Sequence, residues 1–179
     1  MEALEVFGHD GSFHTQNYFN RVKSLEIWEV NESCLPALEE NLPGYQIKVV
    51  DSFDEIQRTP NRFAMVIIDN PTSTYSNYCE YFELFPDVFG VLKDHGILVI
   101  NVIPEISPSD KDKMPYLFSD EQLKSRAKFY QAENPKKIDL DHMVTIYAEC
   151  ARLAGYNLVG TFHQKRSFVF YLVLRFEKN

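Results

Sequence analysis

The sequence has few cysteines and no long hydrophobic run. The first shortage argues against a disulfide-stabilised protein and the second against a membrane-spanning one. Its three cysteines, Cys34, Cys79 and Cys150, have no CxxC spacing, which argues against a disulfide framework and favours a reducing compartment. The longest apolar stretches, such as GILVINVI at 96–103, are too short to cross a bilayer. The acids near the N-terminus do not fit a secretory signal. We therefore expect a cytoplasmic protein without a membrane segment.

Positive charge is scarce as well. Eighteen Lys and Arg residues against 26 Asp and Glu residues give a formal charge of −8. Proteins that coat nucleic-acid phosphates need the opposite balance, so the composition argues against a nucleic-acid partner. Apolar residues are abundant by contrast, at 45% of the chain, and predict a packed core. The 179 residues fit one domain over 1–179.

Strand and helix patterns alternate along the first two thirds of the chain. Strands are predicted at 3–7, 24–30, 45–51, 63–69 and 96–103, with helices at 12–22, 34–42 and 77–92 between them. The nearly continuous apolar runs are typical of parallel strands that are buried on both faces. This alternation predicts an α/β fold with a mostly parallel sheet.

The pattern changes after residue 103. Residues 104–141 are rich in Pro, Lys and Asp and contain one predicted helix, at 119–131. The remaining residues predict a helix at 141–156 and two strands at 156–162 and 167–176. Because only the short HQKR turn joins these two strands, they must pair antiparallel. Long connections tend to be functional, so we expect 104–141 to be an insertion that acts as a lid.

Polar residues follow four of the predicted strands. A glycine-containing turn at 8–11 follows the first strand, Glu29 and Asp51 end the second and third, and the sequence DNP at 69–71 ends the fourth. Open α/β sheets bind ligands at the carboxyl ends of their strands, so these groups are predicted to share one site. Each also has a structural explanation, because glycine turns and DNP turns are common and Asp51 can start the next helix.

A parallel α/β sheet that ends in an antiparallel hairpin resembles the class I S-adenosylmethionine-dependent methyltransferases. The resemblance implies a seven-stranded sheet in the order 3-2-1-4-5-7-6 with helices on both faces. It also implies S-adenosyl-L-methionine as the cofactor. The stretch EVFGHDG resembles the family's first motif, in a variant known from some nucleic-acid methyltransferases. On that match Glu5 is the motif acid, Gly8 takes an alanine position, Gly11 is the final glycine, and His9 replaces the central glycine.

The same resemblance assigns cofactor contacts to the next two strand ends. Glu29 matches the acid that accepts hydrogen bonds from both ribose hydroxyls, a task that suits a carboxylate. Asp51 matches the acid that accepts the adenine amino group. Ser52 and Phe53 are expected to supply a backbone donor and an apolar wall.

The fourth strand end carries the predicted catalytic residues. Asp69 and Asn70 lie where the resemblance places groups near the reactive methyl, and either can orient the nucleophile and accept its proton. Amino-methylating members have Asn/Asp-Pro-Pro-aromatic there, whereas this chain has one proline and Thr72 in the aromatic position. Methyl transfer from a sulfonium mostly requires positioning of the reactants. His9, Asp10 and His14 match no common ligand spacing, so no metal is expected.

These observations support three hypotheses. The first is methyl transfer from S-adenosylmethionine to a small-molecule acceptor. The second is a catalytically inactive methyltransferase-like module for binding or assembly, which His9 motivates. The third is a nucleic-acid methyltransferase, which the first motif favours and the acidic charge opposes. Because the first strand begins at about residue 3, we expect either a minimal or truncated form of the fold, or a second copy or a partner subunit that closes the site.

Overall fold

A seven-stranded sheet organises the part of the chain that the computed structural model describes, namely residues 1–12, 14–69, 82–85, 87–110, 115–166 and 169–179. The strands are β1 (Glu2–Val6), β2 (Ser24–Glu29), β3 (Gln46–Val49), β4 (Phe63–Ile68), β5 (Leu92–Val102), β6 (Tyr156–Arg166) and β7 (Val169–Lys178). Their order is β3-β2-β1-β4-β5-β7-β6. Neighbours from β3 to β5 pair parallel, and β7 pairs antiparallel with both β5 and β6. The predicted α/β fold, strand order and antiparallel hairpin are confirmed.

Five α-helices accompany the sheet in the described residues. They are α1 (Leu35–Asn41), α2 (Ser52–Arg58), α3 (Asp87–Gly90), α4 (Asp120–Phe129) and α5 (Leu140–Leu153). None of these described helices combines the length and the apolar character that a membrane span needs. The cytoplasmic location and the closing partner subunit remain predictions.

Helices cover both faces of the sheet, as predicted. On one face, side chains of β1, β4, β5 and β7 pack with residues of α2, α3 and α5, and Trp28 is fully buried there. On the other face, here called the α1 face, Ala3, Leu25 and Ile27 pack under Leu38 and Leu42 of α1 and its end. Alternation along each strand places Glu5 of β1 on this second face.

Two predicted helices differ from the structure. The helix expected at 12–22 is replaced by two short 3-10 helices, Thr15–Asn17 and Phe19–Arg21. Tyr18 separates them with φ −138°, outside the helical region, so an α-helix cannot run through this position. Positions 77–81 and 86 of the helix expected at 77–92 lie outside the described residues. The described part forms a 3-10 helix (Phe82–Leu84) and the short helix α3, and the expected end is wrong because Leu92 already begins β5.

The segment 104–141 is fixed to the rest of the chain by a buried arginine. Arg126 of α4 is fully buried, and its guanidinium donates hydrogen bonds to the carbonyl oxygens of Ile103 (2.7 Å) and Pro135 (2.9 Å). Tyr130, just after α4, is buried in the core on the α5 side of the sheet. The lid function of this segment and the single-domain organisation remain predictions.

Candidate ligand site at the carboxyl edge of the sheet

The turn after β1 lies directly on β2. Phe7, His9 and Gly11 have positive φ values of 64°, 48° and 67°. A Cβ on Gly8 would lie 2.2 Å from Cγ2 of Ile27, so this position accepts no side chain. His9 therefore adopts the left-handed conformation that a central glycine would adopt more easily, and the turn forms without that glycine.

Glu29 holds this turn through its carboxylate. Oε2 accepts a hydrogen bond from the backbone N–H of His9 (2.7 Å), and Oε1 accepts one from the backbone N–H of Asn31 (2.8 Å). The Glu29 side chain is buried and faces the turn. An ionised carboxylate has about four acceptor positions, so these two bonds leave capacity for two hydroxyl donors. The His9 imidazole is 52% exposed and lies 3.2 Å from Asp10.

The end of β3 lies beside Glu29, because the backbone N–H of Val50 donates to the Glu29 carbonyl oxygen at 2.9 Å. Asp51 is exposed, and its carboxylate accepts a hydrogen bond from the backbone N–H of Phe53 at 2.8 Å. It is therefore the N-cap of α2. Ser52 is buried, and the Phe53 ring lies 6.0 Å from the Phe7 ring. The contact of Asp51, Ser52 and Phe53 with adenine remains a prediction.

Glu5 is buried on the α1 face under the first 3-10 helix. Its Oε1 accepts a hydrogen bond from the Thr15 hydroxyl at 2.8 Å. Its Oε2 and the Tyr18 hydroxyl are both buried. Burial raises the pKa of Glu5 to about 7, the charge of Asp69 acts in the same direction, and the Tyr18 and Thr15 hydroxyls oppose the shift. Glu5 thus places a buried carboxyl beside the Tyr18 hydroxyl and close to the end of β4.

Asp69 lies at the end of β4, next to β5 and β7. The Asn101 Nδ2 group donates a hydrogen bond to its carboxylate, and the Tyr171 hydroxyl lies 3.4 Å from Oδ2. Asn101 and Tyr171 are direct partners across β5 and β7, so both side chains are on one face of the sheet. Burial raises the pKa of Asp69 to about 6, although both hydrogen bonds oppose the shift. Asn70, the other predicted catalytic residue, lies outside the described residues.

His14 and Arg166 complete this group. The Tyr171 hydroxyl lies 2.7 Å from the His14 ring nitrogens, and Asp69 Oδ2 lies 3.5 Å from Nδ1. Arg166 Nη1 lies 3.0 Å from the same Nδ1. Burial, together with the charge of Arg166, lowers the pKa of His14 to about 4, so this imidazole is neutral at pH 7. We call His14, Asp69, Asn101, Arg166 and Tyr171 the polar cluster.

Sequence reasoning found one member of the polar cluster, Asp69, and missed the other four. Asn101 carried a signal, because it is the one polar residue in the apolar run GILVINVI. Tyr171 and Arg166 carried none, since they reach the site only through the antiparallel register of β7 with its neighbours. His14 was considered as a metal ligand alone.

Comparisons with known proteins identify the fold. Neither a protein-family model nor a curated protein sequence matches the chain. Among solved structures, TrmN from Thermus thermophilus superposes with a TM-score of 0.56 at 10% identity, over 100% of this chain and 44% of TrmN. TYW2 from M. jannaschii, solved in complex with AdoMet, gives 0.57 at 15% identity over 99% of this chain and 69% of TYW2. The chain therefore has the class I methyltransferase fold, and it spans less than half the length of TrmN.

A third similar structure bears on the expected partner. PH1948 from Pyrococcus horikoshii, provisionally described as an RNA methyltransferase, gives a TM-score of 0.56 at 12% identity over 99% of this chain and 72% of PH1948. The expectation that nucleic acid is not a partner is therefore unsupported by the fold. An acidic net charge does not separate methyltransferases by acceptor, because a local surface can differ from the total charge.

Proposed function

We propose that the protein binds S-adenosylmethionine at the turn after β1 and transfers its methyl group. The main support is the orientation of Glu29, whose carboxylate is buried and fixed toward residues 8–11. This turn follows β1, which lies between β2 and β4, where the strand order reverses. Ligands of open α/β sheets bind at that point, outside the carboxyl ends of the strands.

The residues present fit this cofactor. The remaining acceptor capacity of Glu29 suits two ribose hydroxyls, and Phe53 offers an apolar surface for adenine beside Asp51 and Ser52. The buried Glu5 carboxyl below the turn favours a cationic ligand, and S-adenosylmethionine carries both an ammonium and a sulfonium. When bound, this cofactor supplies an activated methyl group. Gly8 and Gly11 hold the backbone of the turn close to it.

Asp69 is the residue that we assign to the acceptor. It lies at the end of β4, and the hydrogen bonds from Asn101 and Tyr171 fix its position. A carboxylate with a pKa of about 6 is ionised at neutral pH and can take a proton from the acceptor. Asn70, the next residue, is the second candidate for orienting the nucleophile.

We infer that the acceptor is a small molecule, because the Asp69 side chain is only 4% exposed. Two other functions have some support. The similarity to PH1948 favours an RNA acceptor, and the backbone hydrogen bonds of Glu29 explain that residue without any ligand, as an inactive module would require. Steeply salt-dependent binding to RNA would indicate the former.

Calorimetric titration with S-adenosylmethionine tests the proposal. We expect saturable binding to the wild-type protein and to Glu32→Ala, in which a nearby exposed acid is removed, and weaker binding to Glu29→Ala. Thermal unfolding of each variant shows whether it is folded at the titration temperature. Absence of binding to the folded wild-type protein would contradict the proposal and favour the inactive module.

A further inference from the structure

The strand β6 forms one edge of the sheet. It pairs with β7, and no described strand lies on its other side. An edge strand presents backbone N–H and C=O groups that can pair with another chain, and proteins protect it with bulges, lysines, prolines or a covering element. β6 has a bulge at Val159 and a lysine at Lys165. Residues 160–164, here called the edge segment, lie between these two protections and have neither, and 161–164 are exposed.

One face of the edge segment carries an exposed aromatic ring. Leu172 of β7 belongs to the core on the side of α2, α3 and α5, so the next residue, Val173, points to the α1 face. Phe162 lies directly opposite Val173 and therefore shares the α1 face. Phe162 is 61% exposed, so most of its ring contacts solvent although it belongs to a strand.

Gly160 leaves an open position on the same face. It lies opposite Arg175, which is two residues along β7 from Val173. A Cβ on Gly160 would contact only the Arg175 side chain among the described residues, at 3.6 Å. The edge segment thus presents an apolar ring and, two residues away, a glycine with room beside it.

We propose that two copies of this chain pair antiparallel through their β6 strands, about a two-fold axis at Thr161, and form one continuous sheet. In this register Phe162 of each copy lies directly opposite Gly160 of the other copy. The ring covers the glycine and lies beside Arg175, because Arg175 is the next residue in the same row. An aromatic ring over a cross-strand glycine stabilises strand pairing, and the guanidinium adds a cation–π contact.

The charges along β6 suit a second copy. β6 contains no acidic residue, whereas the whole chain has a formal charge of −8. Its basic end, with Lys165 and Arg166, comes next to the N-terminal end of the other β6, where Glu177 pairs with Asn157. The two Lys165 residues lie four positions on each side of the axis, about 26 Å apart, which exceeds the Debye length of about 8 Å. Antiparallel pairing therefore brings opposite charges together and keeps like charges apart.

A second copy is the occupant that this edge fits, because each side must supply both an exposed ring and a glycine at the same spacing. Two-fold symmetry provides that match with the same surface on both copies. The axis is perpendicular to the sheet, so the α1 faces of both copies lie on one side and the two rings face their glycines. The dimer does not depend on the proposed methyl transfer, because Arg166 is the one residue of β6 that belongs to the polar cluster.

Sedimentation equilibrium of the full chain tests the dimer. We expect a mass twice the 20.9 kDa of one chain, with dissociation on dilution. In Thr161→Asp two carboxylates face each other across the axis, so the dissociation constant should rise at least about tenfold. Thr145→Asp, at an exposed position of α5, is the matched control and should leave the dissociation constant unchanged. A wild-type protein that stays monomeric, or a dimer that folded Thr161→Asp does not weaken, overturns the proposal.

Removal of the ring tests the contact with Gly160. Phe162→Ser should raise the dissociation constant of the dimer by about tenfold, because the buried apolar area of two rings is lost. Leu153→Ser is the control, since Leu153 is 73% exposed on α5 and lies outside the proposed interface. A dimer that is weakened by Leu153→Ser and not by Phe162→Ser would place the interface elsewhere and overturn the proposal.

Disulfide trapping tests the register. Directly opposed residues of an antiparallel pair have Cα atoms about 4.5–5.5 Å apart, within the range of a disulfide. Thr161→Cys should therefore form a covalent dimer on mild oxidation, and Thr145→Cys should not. The wild-type protein gives the background from the native cysteines. Equal amounts of covalent dimer in the two variants would overturn the axis at Thr161.

Discussion

The two halves of the carboxyl edge are built differently. In the half formed by β1, β2 and β3, Glu29 and Asp51 are satisfied by backbone N–H groups of nearby turns. In the half formed by β4, β5 and β7, side chains contact other side chains, and Tyr171 meets His14 from 157 positions away. Glu29 and Asp51 therefore keep their hydrogen bonds without a ligand. In the second half, Asn101 Oδ1 is buried and has no hydrogen-bond partner among the described residues, so a ligand donor would contribute more there.

Asp69→Asn should show the largest difference between the halves, because it should slow methyl transfer while leaving cofactor affinity nearly unchanged. This variant keeps the size of the side chain and loses the proton acceptor, so methyl transfer should fall by about 100-fold or more. Affinity for S-adenosylmethionine should change little. The rate of label transfer and a calorimetric titration measure the two quantities. Asp54→Asn, at an exposed site of α2, is the matched control, and equal rates in both variants would remove Asp69 from the mechanism.

Glu5 should make stability depend on pH. Its pKa of about 7 in the folded state exceeds the ordinary value of 4.5, so the folded state holds the proton between these values. The stabilisation is complete below pH 4.5 and is lost as the pH rises through 7, a change of roughly 3 kcal/mol. In Glu5→Gln this contribution should disappear from denaturant unfolding curves. Glu32→Gln is the control. The same pH dependence of stability in both variants would mean that the pKa of Glu5 is not raised in the folded state.

Glu29→Ala should destabilise the half of the carboxyl edge formed by β1, β2 and β3, where backbone N–H groups donate to the acidic side chains. The change leaves two backbone N–H groups, of His9 and Asn31, without their charged acceptor, which costs about 2 kcal/mol. Chemical denaturation measures the loss, with Glu32→Ala as the control. A free energy of unfolding equal to that of the control would mean that the carboxylate does not hold the turn.

Tyr171→Phe should have the smallest effect. The hydroxyl lies 2.7 Å from the His14 ring and 3.4 Å from Asp69, and the net loss of these contacts should cost about 1 kcal/mol of stability. The same change should move the pH dependence of transfer upward, because this hydroxyl lowers the pKa of Asp69. Tyr116→Phe at an exposed position is the control. A pH profile identical to that of the wild type would mean that the Tyr171 hydroxyl does not lower the pKa of Asp69.

The same contrast explains how much could be predicted from the sequence. The α/β class and the antiparallel hairpin followed from buried apolar runs and a short final turn, both of which are local patterns, whereas the strand order was implied by the resemblance to the class I methyltransferases. Glu29 and Asp69 were found because each ends such a run. Asn101, Tyr171 and His14 could not be connected, since their contacts depend on strand register and on a turn far away in the chain.

Local patterns also failed where tertiary contacts override them. Residues 12–22 have helical spacing, yet Thr15 and Tyr18 turn toward buried Glu5 and the segment forms two 3-10 helices. The start of β5 at Leu92 was missed because Lys93, Asp94 and His95 are polar. These residues extend the strand beyond the core, where pairing with β7 continues at His95 and Glu177.

The affinity of S-adenosylmethionine for Glu29→Ala and for Asp69→Asn, titrated side by side, tests the division of the carboxyl edge most directly. We expect binding to be weakened by at least about tenfold in Glu29→Ala, the equivalent of one lost charged hydrogen bond, and to be nearly unchanged in Asp69→Asn. Equal affinities in the two folded variants, or a loss confined to Asp69→Asn, would rule out this division.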